Sequence, residues 1–268
     1  IYLMSYRIIK EKLAAKESIL LDGGIGTEVL RRGIRWRQHG IEDAPDVIRS
    51  IHVDYLEAGV DVLTTHTFNL TKRNFINFFR DAEHMSLIGP VGLPTKAMEL
   101  CHTAVSLAKE ALAQTGKAET IPLAGSIGPV MHLFRPDLSP SKDDCLTHHS
   151  ECVEILSDCG VDFIFFEGMN NTRETQAALQ AAAGFDLPVW MSFVPGMDGN
   201  LLNGESLSDA ADLARGNGAE AVLVSAGTIP MITKSLPNII NGSPCGAKAI
   251  IGRYSPPSWK PDFYPRFE

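Results

Sequence analysis

Two carboxylates lie where apolar stretches of the sequence end, and they are the side chains best suited to bind a substrate or take part in a reaction. Asp22 follows the run SILL from Ser18, and Glu167 follows the run VDFIFF from Val161. A carboxylate at the end of a buried strand is costly to desolvate unless it is paired or hydrogen-bonded, which favours a polar pocket. A helix cap or a brace between loops is the structural alternative, and both interpretations remain open for each acid.

Hydroxyl and imidazole groups occupy similar positions after other apolar stretches. His66 lies between Thr65 and Thr67 in the segment VDVLTTHTF, so three polar side chains follow one run. A histidine in such a place is either a ligand or proton carrier, or simply a hydrogen-bonded side chain. Further polar residues end the later runs, namely Ser126, Ser192, Arg253 and Tyr254.

One apolar stretch ends without a reactive side chain. In LVSAGTIP, from Leu223 to Pro230, small uncharged residues stand where other stretches carry an acid or a histidine. They are Ser225, Ala226 and Gly227. Taken alone, residues of this size simply let the backbone turn.

Seven short apolar runs supply these positions. Each has the length of a buried strand and is nearly continuous rather than alternating, as expected of parallel strands covered on both faces. They are SILLDGG from Ser18, VDVLTTHTF from Val60, TIPLAGSIG from Thr120, VDFIFFEG from Val161, LPVWMSFV from Leu187, AEAVLVSAG from Ala219 and AKAIIGRY from Ala247. Helical patterns separate the runs: in PDVIRSIHVDYLEAGV, apolar residues recur at spacings of three and four between Pro45 and Gly59.

This alternation predicts right-handed crossovers and a parallel sheet. A doubly wound sheet would need a G-x-G-x-x-G fingerprint after its first strand, and DGGIGTE does not contain one. The prediction is therefore an α/β fold, a (β/α)8 TIM barrel lacking or ending before the eighth strand unit, with its chemistry at the C-terminal ends of the strands. Residues 1–268 are expected to form a single domain, irregular from Phe68 to Lys96 and in the proline-rich tail.

Composition narrows the class of protein. The chain of 268 residues has a formal net charge of -8 and no basic stripe, which excludes nucleic acid as a partner. No apolar run has the length of a membrane-spanning helix, and the N-terminus lacks the order of a secretory signal. Five cysteines without a C-x-x-C pair fit a reducing compartment. We therefore expect a cytoplasmic protein with no membrane partner.

Five segments, taken in order, resemble the homocysteine S-methyltransferase family. They are LLDGGIGTE, DAPDVIRSIHVDYLEAGVDVLTTHTFN, AGSIGP, GVDFIFFEGM and the run from PVWMSFV through LNGESLSDA. The family includes the first module of cobalamin-dependent methionine synthase and the betaine-dependent enzyme. The resemblance covers the chain from Ser18 to Pro230 and is specific as a set, although D-G-G-x-G-T alone would be weak.

The resemblance implies a (β/α)8 barrel that binds a thiol amino acid at its strand ends and methylates the sulfur, as in methionine biosynthesis. Asp22 and Glu167 match acids that hold the amino group of the substrate or shape the site. Thr67 and His66 fall in a motif that is Thr-Asn-Thr-Phe in the family, so both are expected to line the substrate pocket, with an Asn-to-His change at His66. The resemblance assigns no catalytic residue, and a methyl donor is the second small-molecule partner.

The family uses a zinc ion that is held by three cysteine thiolates. The zinc ion binds the thiol of the substrate and keeps it ionised. The first thiolate comes from an Asn-Cys pair after strand six, where this chain has Ser225-Ala226, so Ala226 replaces the expected zinc cysteine. The other two come from a Gly-Gly-Cys-Cys-Gly motif after strand eight, which does not occur before Glu268. We therefore expect the metal site to be degenerate and name no metal ligand.

The other cysteines are not expected to substitute. Cys145, Cys152 and Cys159 are seven residues apart, so on one helix neighbours share a face about 10 Å from each other, too far for one zinc ion. Packing in the core is the better interpretation, since a free cysteine behaves as a small hydrophobe. Cys245 precedes the last run and is expected at the opposite end of the barrel.

Two hypotheses of different classes follow for the function. The first is methyl transfer to a thiol amino acid, with catalysis weakened but not abolished, because a thiol without zinc is only a few per cent ionised at pH 7. The second is a non-catalytic barrel that binds a small molecule or a partner protein. Seven strands also leave two open sheet edges, which favours either a homo-oligomer or a chain that is a fragment.

Overall fold

The computed structural model describes residues 3–34, 40–71 and 93–248. The chain divides into two compact units, one made of residues 1–126 and 151–163, the other of residues 127–150 and 164–268. The expectation of a single domain stays a prediction.

The first unit contains helices and parallel strands in alternation. Its elements are α1 (Leu3–Ala14), α2 (Ile25–Arg31), α3 (Pro45–Glu57), β1 (Leu63–Thr64), α4 (Leu93–Gln114) and β2 (Leu123–Ile127, whose last residue belongs to the second unit). Leu21 forms a single parallel bridge with Val62, and β1 pairs in parallel with β2 through Leu63 and Leu123. The first three predicted strands are therefore present, the first of them as one bridge.

Helix α3 forms where the apolar spacing predicts it. Pro45 occupies the first turn, where its missing N–H costs nothing, and Gly59 follows the helix with φ +89°. Ile48 and Ile51 are fully buried in one cluster with Leu100 of α4. The stripe of apolar residues thus faces the core of the first unit.

Helix α1 was not predicted, because its apolar stretch is short and interrupted by polar residues. Tyr6 is buried, with its ring centroid 5.1 Å from that of Phe163. The Ser5 hydroxyl donates to the Asp162 carboxylate at 3.0 Å, and the same carboxylate accepts from the backbone N–H of Leu123 at 2.7 Å. Contacts with residues far along the chain therefore hold this helix in place.

The second unit continues the alternation. Its elements are α5 (Lys142–Asp158), β3 (Phe163–Met169), α6 (Thr172–Ala182), β4 (Val189–Phe193), α7 (Leu207–Gly216), β5 (Ala219–Ser225), α8 (Ile229–Ser235) and β6 (Cys245–Lys248), with 3-10 turns at Pro136–Leu138 and Leu236–Asn238. Helix α5 and strand β3 each have residues in both units. Strand β3 pairs with β4, β4 with β5 and β5 with β6, all in parallel.

In both units, strands that follow one another in the sequence pair side by side, with helices between them. This is the succession of units in a (β/α)8 barrel, so the predicted fold class is confirmed as a partial barrel with six strands among the described residues. Two boundaries were wrong: the last strand begins at Cys245 rather than Ala247, and Leu93–Lys96 belong to α4. The rest of the predicted irregular segment beyond Thr71, the tail, Arg253 and Tyr254 lie outside the described residues.

Helices of the described ranges are all too short or too polar to cross a membrane.

His52 of α3 predicts a dependence of stability on pH. It is fully buried, and neither ring nitrogen has a hydrogen-bond partner within the part of the chain that the structure describes. Burial, assisted by the nearby His66, lowers the pKa of His52 to about 3. An unfolded histidine binds its proton near pH 6.5, so the free energy of unfolding falls by about 1.4 kcal/mol per pH unit from pH 6.5 towards pH 3.

A His52→Leu variant should lose this contribution. Urea unfolding at pH 7.5, 6.0 and 5.0 is expected to give a shallower pH dependence for the variant than for the wild type, whatever their difference at pH 7.5. Parallel pH profiles for the two proteins would contradict the assignment.

Candidate functional site

Asp22 forms hydrogen bonds with strand β1 in the first unit. Its carboxylate is buried and accepts hydrogen bonds from the backbone N–H of Thr64 at 2.7 Å and from the Thr64 hydroxyl at 2.7 and 2.9 Å. The next residue, Gly23, lies against Tyr55, because an added Cβ would stand 2.5 Å from the tyrosine hydroxyl oxygen. The structural role is therefore present, and binding of substrate by Asp22 stays a prediction.

Thr65, Thr67 and Ser126 form a closed set of hydrogen bonds between the ends of β1 and β2. The N–H of Ser126 donates to the Thr65 hydroxyl oxygen at 3.0 Å, and the Thr67 hydroxyl donates to the Ser126 carbonyl at 2.7 Å. The two threonine oxygens are 2.6 Å apart. Because the Thr67 proton is already used, Thr65 must be the donor between them. Thr67 thus fastens two strands, and its predicted place in the pocket lining stays untested.

His66 lies between these threonines and is buried. Its charge would oppose that of the nearby His52, which is one reason why the pKa of His52 is low. The predicted roles of His66, as a pocket residue or a proton carrier, stay predictions.

Glu167 of the second unit contacts a cation. Its Oε1 is 3.0 Å from Nζ of Lys248, and only 14% of the Glu167 side chain and 19% of the Lys248 side chain are exposed. These residues belong to β3 and β6, three strand spacings apart, which is about 14 Å in a flat sheet. Because side chains stand roughly perpendicular to a sheet, the contact requires β3–β6 to curve towards the face that carries both residues.

Hydroxyl groups of β4 and β5 hold the end of β3. The N–H of Gly168 donates to Ser192 Oγ at 2.8 Å, and Ser192 Oγ is 2.7 Å from Ser225 Oγ. Gly168 has φ +77°, and a Cβ there would stand 2.2 Å from Leu133 Cδ1. The left-handed backbone favours glycine at this position, and the register of β3 against β4 shifts between Phe166 and Met169, next to Glu167.

Ala226 occupies the position of the first zinc cysteine of the family that the sequence resembles. Its φ of 57° is left-handed, and its N–H donates to the carbonyl of Lys248 at 3.2 Å. A methyl side chain cannot ligate a metal, and over residues 3–34, 40–71 and 93–248 no group of three or more His, Cys, Asp or Glu side chains could hold one. The residues present therefore do not fit the zinc ion that the family implies.

The remaining cysteines of the described ranges do not assemble a metal site either. Cys145 packs in a buried cluster with Val130 and Ala177, as predicted for a small hydrophobe. Burial raises the pKa of Cys152 to about 12. The core prediction was wrong for Cys159, which follows the end of α5 with its Sγ 3.0 Å from His102 Nδ1. Cys245 is exposed and begins β6, at the end of that strand opposite Lys248, as expected.

The sequence analysis missed a buried carboxylate, Glu174, in the second unit. Its Oε1 accepts from the N–H of Val130 at 2.6 Å and lies 3.2 Å from His149 Nε2, and its Oε2 accepts from the Ser139 hydroxyl at 2.7 Å. Asn171 caps α6 by accepting from the N–H of Glu174. The capping pattern N-x-x-E was the available signal, although it does not predict the distant partners.

These partners keep Glu174 ionised. Burial raises its pKa, but hydrogen bonds from His149, Val130 and Ser139, with the charge of His149, outweigh burial and leave the pKa below its usual value. An ionised carboxylate only accepts hydrogen bonds, so His149 donates through Nε2. Glu174 therefore ties the segment after β2 and helix α5 to the helix that follows Glu167.

Comparison with known proteins identifies the family to which this sequence is similar. The model of the homocysteine S-methyltransferase domain matches residues 19–250. Homocysteine S-methyltransferase of Escherichia coli (strain K12) is 29% identical over 222 residues, which cover 78% of this chain and 68% of the relative. Selenocysteine methyltransferase of Astragalus bisulcatus is 26% identical over 226 residues, 75% of this chain and 65% of the relative.

A solved structure of a homocysteine methyltransferase is also similar to this chain. The metallated form of the homocysteine methyltransferase MmuM from Escherichia coli superposes with a TM-score of 0.72 at 25% identity, over 88% of this chain and 84% of that one. The chain spans less than two thirds of some relatives. It covers 65% of the Astragalus protein and 60% of homocysteine S-methyltransferase 4 of Zea mays. Sequence and structure together show that the chain belongs to the homocysteine S-methyltransferase family.

Proposed function

We propose that this chain transfers a methyl group to the sulfur of a thiol amino acid, and that it contributes to methionine biosynthesis. The family match over residues 19–250 carries the proposal. It is supported by relatives whose names give homocysteine or selenocysteine as the methyl acceptor. Homocysteine is therefore the first substrate to test.

Glu167 is the residue that we assign to the amino group of the substrate. It lies at the C-terminal end of β3, where enzymes of this architecture bind ligands. The N–H of the next residue, Gly168, donates to Ser192, which helps to hold this part of β3 in place. A carboxylate on a fixed backbone is suited to orient an ammonium group.

The transfer itself needs an ionised acceptor. The thiolate sulfur attacks the methyl carbon of a sulfonium donor such as S-methylmethionine, the carbon–sulfonium bond breaks, and the donor leaves as a neutral thioether. Before this step the substrate thiol loses its proton. We assign solvent as the acceptor of that proton, because Ala226 cannot ligate a metal ion that would ionise the thiol.

Several finer assignments are part of this proposal. Asp22, His66 and Thr67 are proposed to contribute to substrate binding. A cytoplasmic location and a homo-oligomer are proposed from the cysteine content and the open strand edges of the predicted sheet.

An assay of methionine formation tests the proposal. Purified protein with homocysteine and S-methylmethionine is expected to form methionine, and prior treatment with a chelator should leave the rate unchanged. A Glu167→Gln variant, which keeps the size of the side chain, is expected to raise KM for homocysteine by about tenfold or more, because it removes a charge-assisted hydrogen bond.

The same assay separates the alternatives. Binding of homocysteine without formation of methionine would favour the non-catalytic hypothesis. The replacement of a zinc cysteine by Ala226 is the observation that supports this hypothesis. Loss of activity on chelation, together with stoichiometric zinc in the untreated protein, would contradict the assignment of a degenerate metal site.

A further inference from the structure

We propose that Lys248 and Glu167 together bind the zwitterionic head group of an α-amino acid, with the substrate carboxylate on Lys248 and the substrate ammonium on Glu167. This inference rests on the proposed function and deepens it, since it names the second charge that the site recognises. It makes Lys248 a specificity-determining residue.

The two charges are placed for this by elements of the second unit. Glu167 lies near the C-terminal end of β3, and Lys248 is the last residue of β6 that the structure describes, with 3.0 Å between Oε1 and Nζ. The Lys248 carbonyl accepts from the N–H of Ala226, which pairs the backbone at Lys248 with the end of β5. The side chains are 14% and 19% exposed, so they are largely but not completely removed from solvent.

The backbone at Ala226 contributes to this arrangement. Ala226 directly follows β5, and its N–H donates to the Lys248 carbonyl at 3.2 Å, which continues the parallel pairing of β5 with β6. The position that lacks a metal ligand therefore supports the residue that carries the positive charge. Recognition by charge would replace part of the binding that a metal gives to the substrate in the family.

The chemistry of the ligand follows from the cost of desolvating charges. An α-amino acid has an ammonium and a carboxylate on one carbon, so when it binds to the pair, every charge retains an opposite charge beside it. A ligand with only one of these groups satisfies one member of the pair and adds a net charge to a largely buried site, which is unfavourable. The pair therefore favours zwitterions over amines and over acids.

Three thiols of matched length test this selectivity. Homocysteine has both charged groups, 3-aminopropane-1-thiol lacks the carboxylate, and 4-mercaptobutanoic acid lacks the ammonium. Isothermal titration with the wild-type protein is expected to give the tightest binding for homocysteine, by about tenfold or more over each of the others. Norvaline, an α-amino acid without a thiol, is included to separate recognition of the head group from recognition of sulfur.

Variants of Lys248 give a result of opposite sign for two ligands. Lys248→Met should weaken binding of homocysteine and norvaline by about tenfold and strengthen binding of 3-aminopropane-1-thiol, because Glu167 no longer contacts a competing ammonium. Lys248→Arg should restore the preference for homocysteine. Lys142→Met, which removes an exposed lysine of the same unit, is the matched control and should change none of the affinities.

Each outcome is decisive. If homocysteine binds the wild type and is converted to methionine, and Lys248→Met leaves the affinity for homocysteine unchanged or raises it, the inference is wrong and the proposed function stands. If norvaline binds in a Lys248-dependent way but no methionine forms from homocysteine, the head-group site is supported and the proposed function is wrong. If the folded wild type binds neither amino acid, both are overturned.

Discussion

A Glu174→Ala variant is expected to lose about 3–5 kcal/mol of the free energy of unfolding, because it removes one partner of a buried, charge-assisted network. The carboxylate accepts from Val130, Ser139 and His149, and truncation leaves all three donors without that acceptor. Small domains have only about 5–15 kcal/mol in total. The variant should therefore be close to unfolding at 37 °C, as measured by urea denaturation followed by circular dichroism.

Two comparisons isolate the carboxylate in this experiment. Glu174→Gln keeps the volume and one accepting oxygen, so its loss should be intermediate. Glu154→Ala removes an exposed carboxylate from α5 and should change stability by less than about 0.5 kcal/mol. A loss below about 1 kcal/mol for Glu174→Ala would contradict the role of Glu174 as the central acceptor of this network.

Acid should narrow the difference between the wild type and Glu174→Ala. The folded pKa of Glu174 is lower than its usual value, so its contribution to stability is present above the unfolded pKa, which is about 4.3. That contribution is lost as the pH falls through the folded pKa.

The rate of methyl transfer to homocysteine is expected to rise about tenfold per pH unit below the thiol pKa, which is near 8.5, and then to level off. Only the thiolate attacks the methyl carbon, and no side chain that we have identified lowers the pKa of the substrate thiol. From pH 6.5 to pH 8.5 the thiolate fraction rises about fiftyfold. Initial rates between pH 6 and 9.5, at saturating donor and constant ionic strength, measure this dependence.

A selenol substrate provides the control for this profile. Selenohomocysteine is more acidic than homocysteine and is already ionised at neutral pH, so its methylation should be nearly independent of pH over the same interval. A flat profile with homocysteine would show that the protein ionises the thiol itself, by a metal or by a base, and would refute the solvent route.

Sequence patterns were sufficient where structure is set by neighbours along the chain. The continuous apolar runs predicted the strands, and the three-and-four spacing from Pro45 predicted α3, because strand burial and helix faces depend on local periodicity. The apolar run before Glu167 likewise located this residue near a strand end, whereas the replacement of a zinc cysteine by Ala226 stays a prediction.

Partners far apart in the sequence were not predictable in this way. Helix α1 depends on contacts of Ser5 and Tyr6 with residues more than 150 positions away, which no local pattern encodes. The pairing of Glu167 with Lys248 requires the curvature of β3–β6, and the partners of Glu174 come from separate segments. Each of these is a property of the assembled fold.

The closed set of hydrogen bonds at Thr65, Thr67 and Ser126 gives this edge of the first unit a fixed polarity. Both threonine protons are engaged within the set, so the two hydroxyl oxygens have only lone pairs left to present. Any further partner of these oxygens must therefore donate the hydrogen bond, as an ammonium or a protonated imidazole does, if the link between β1 and β2 is to stay intact. A carboxylate would instead compete for the protons that hold the two strands together.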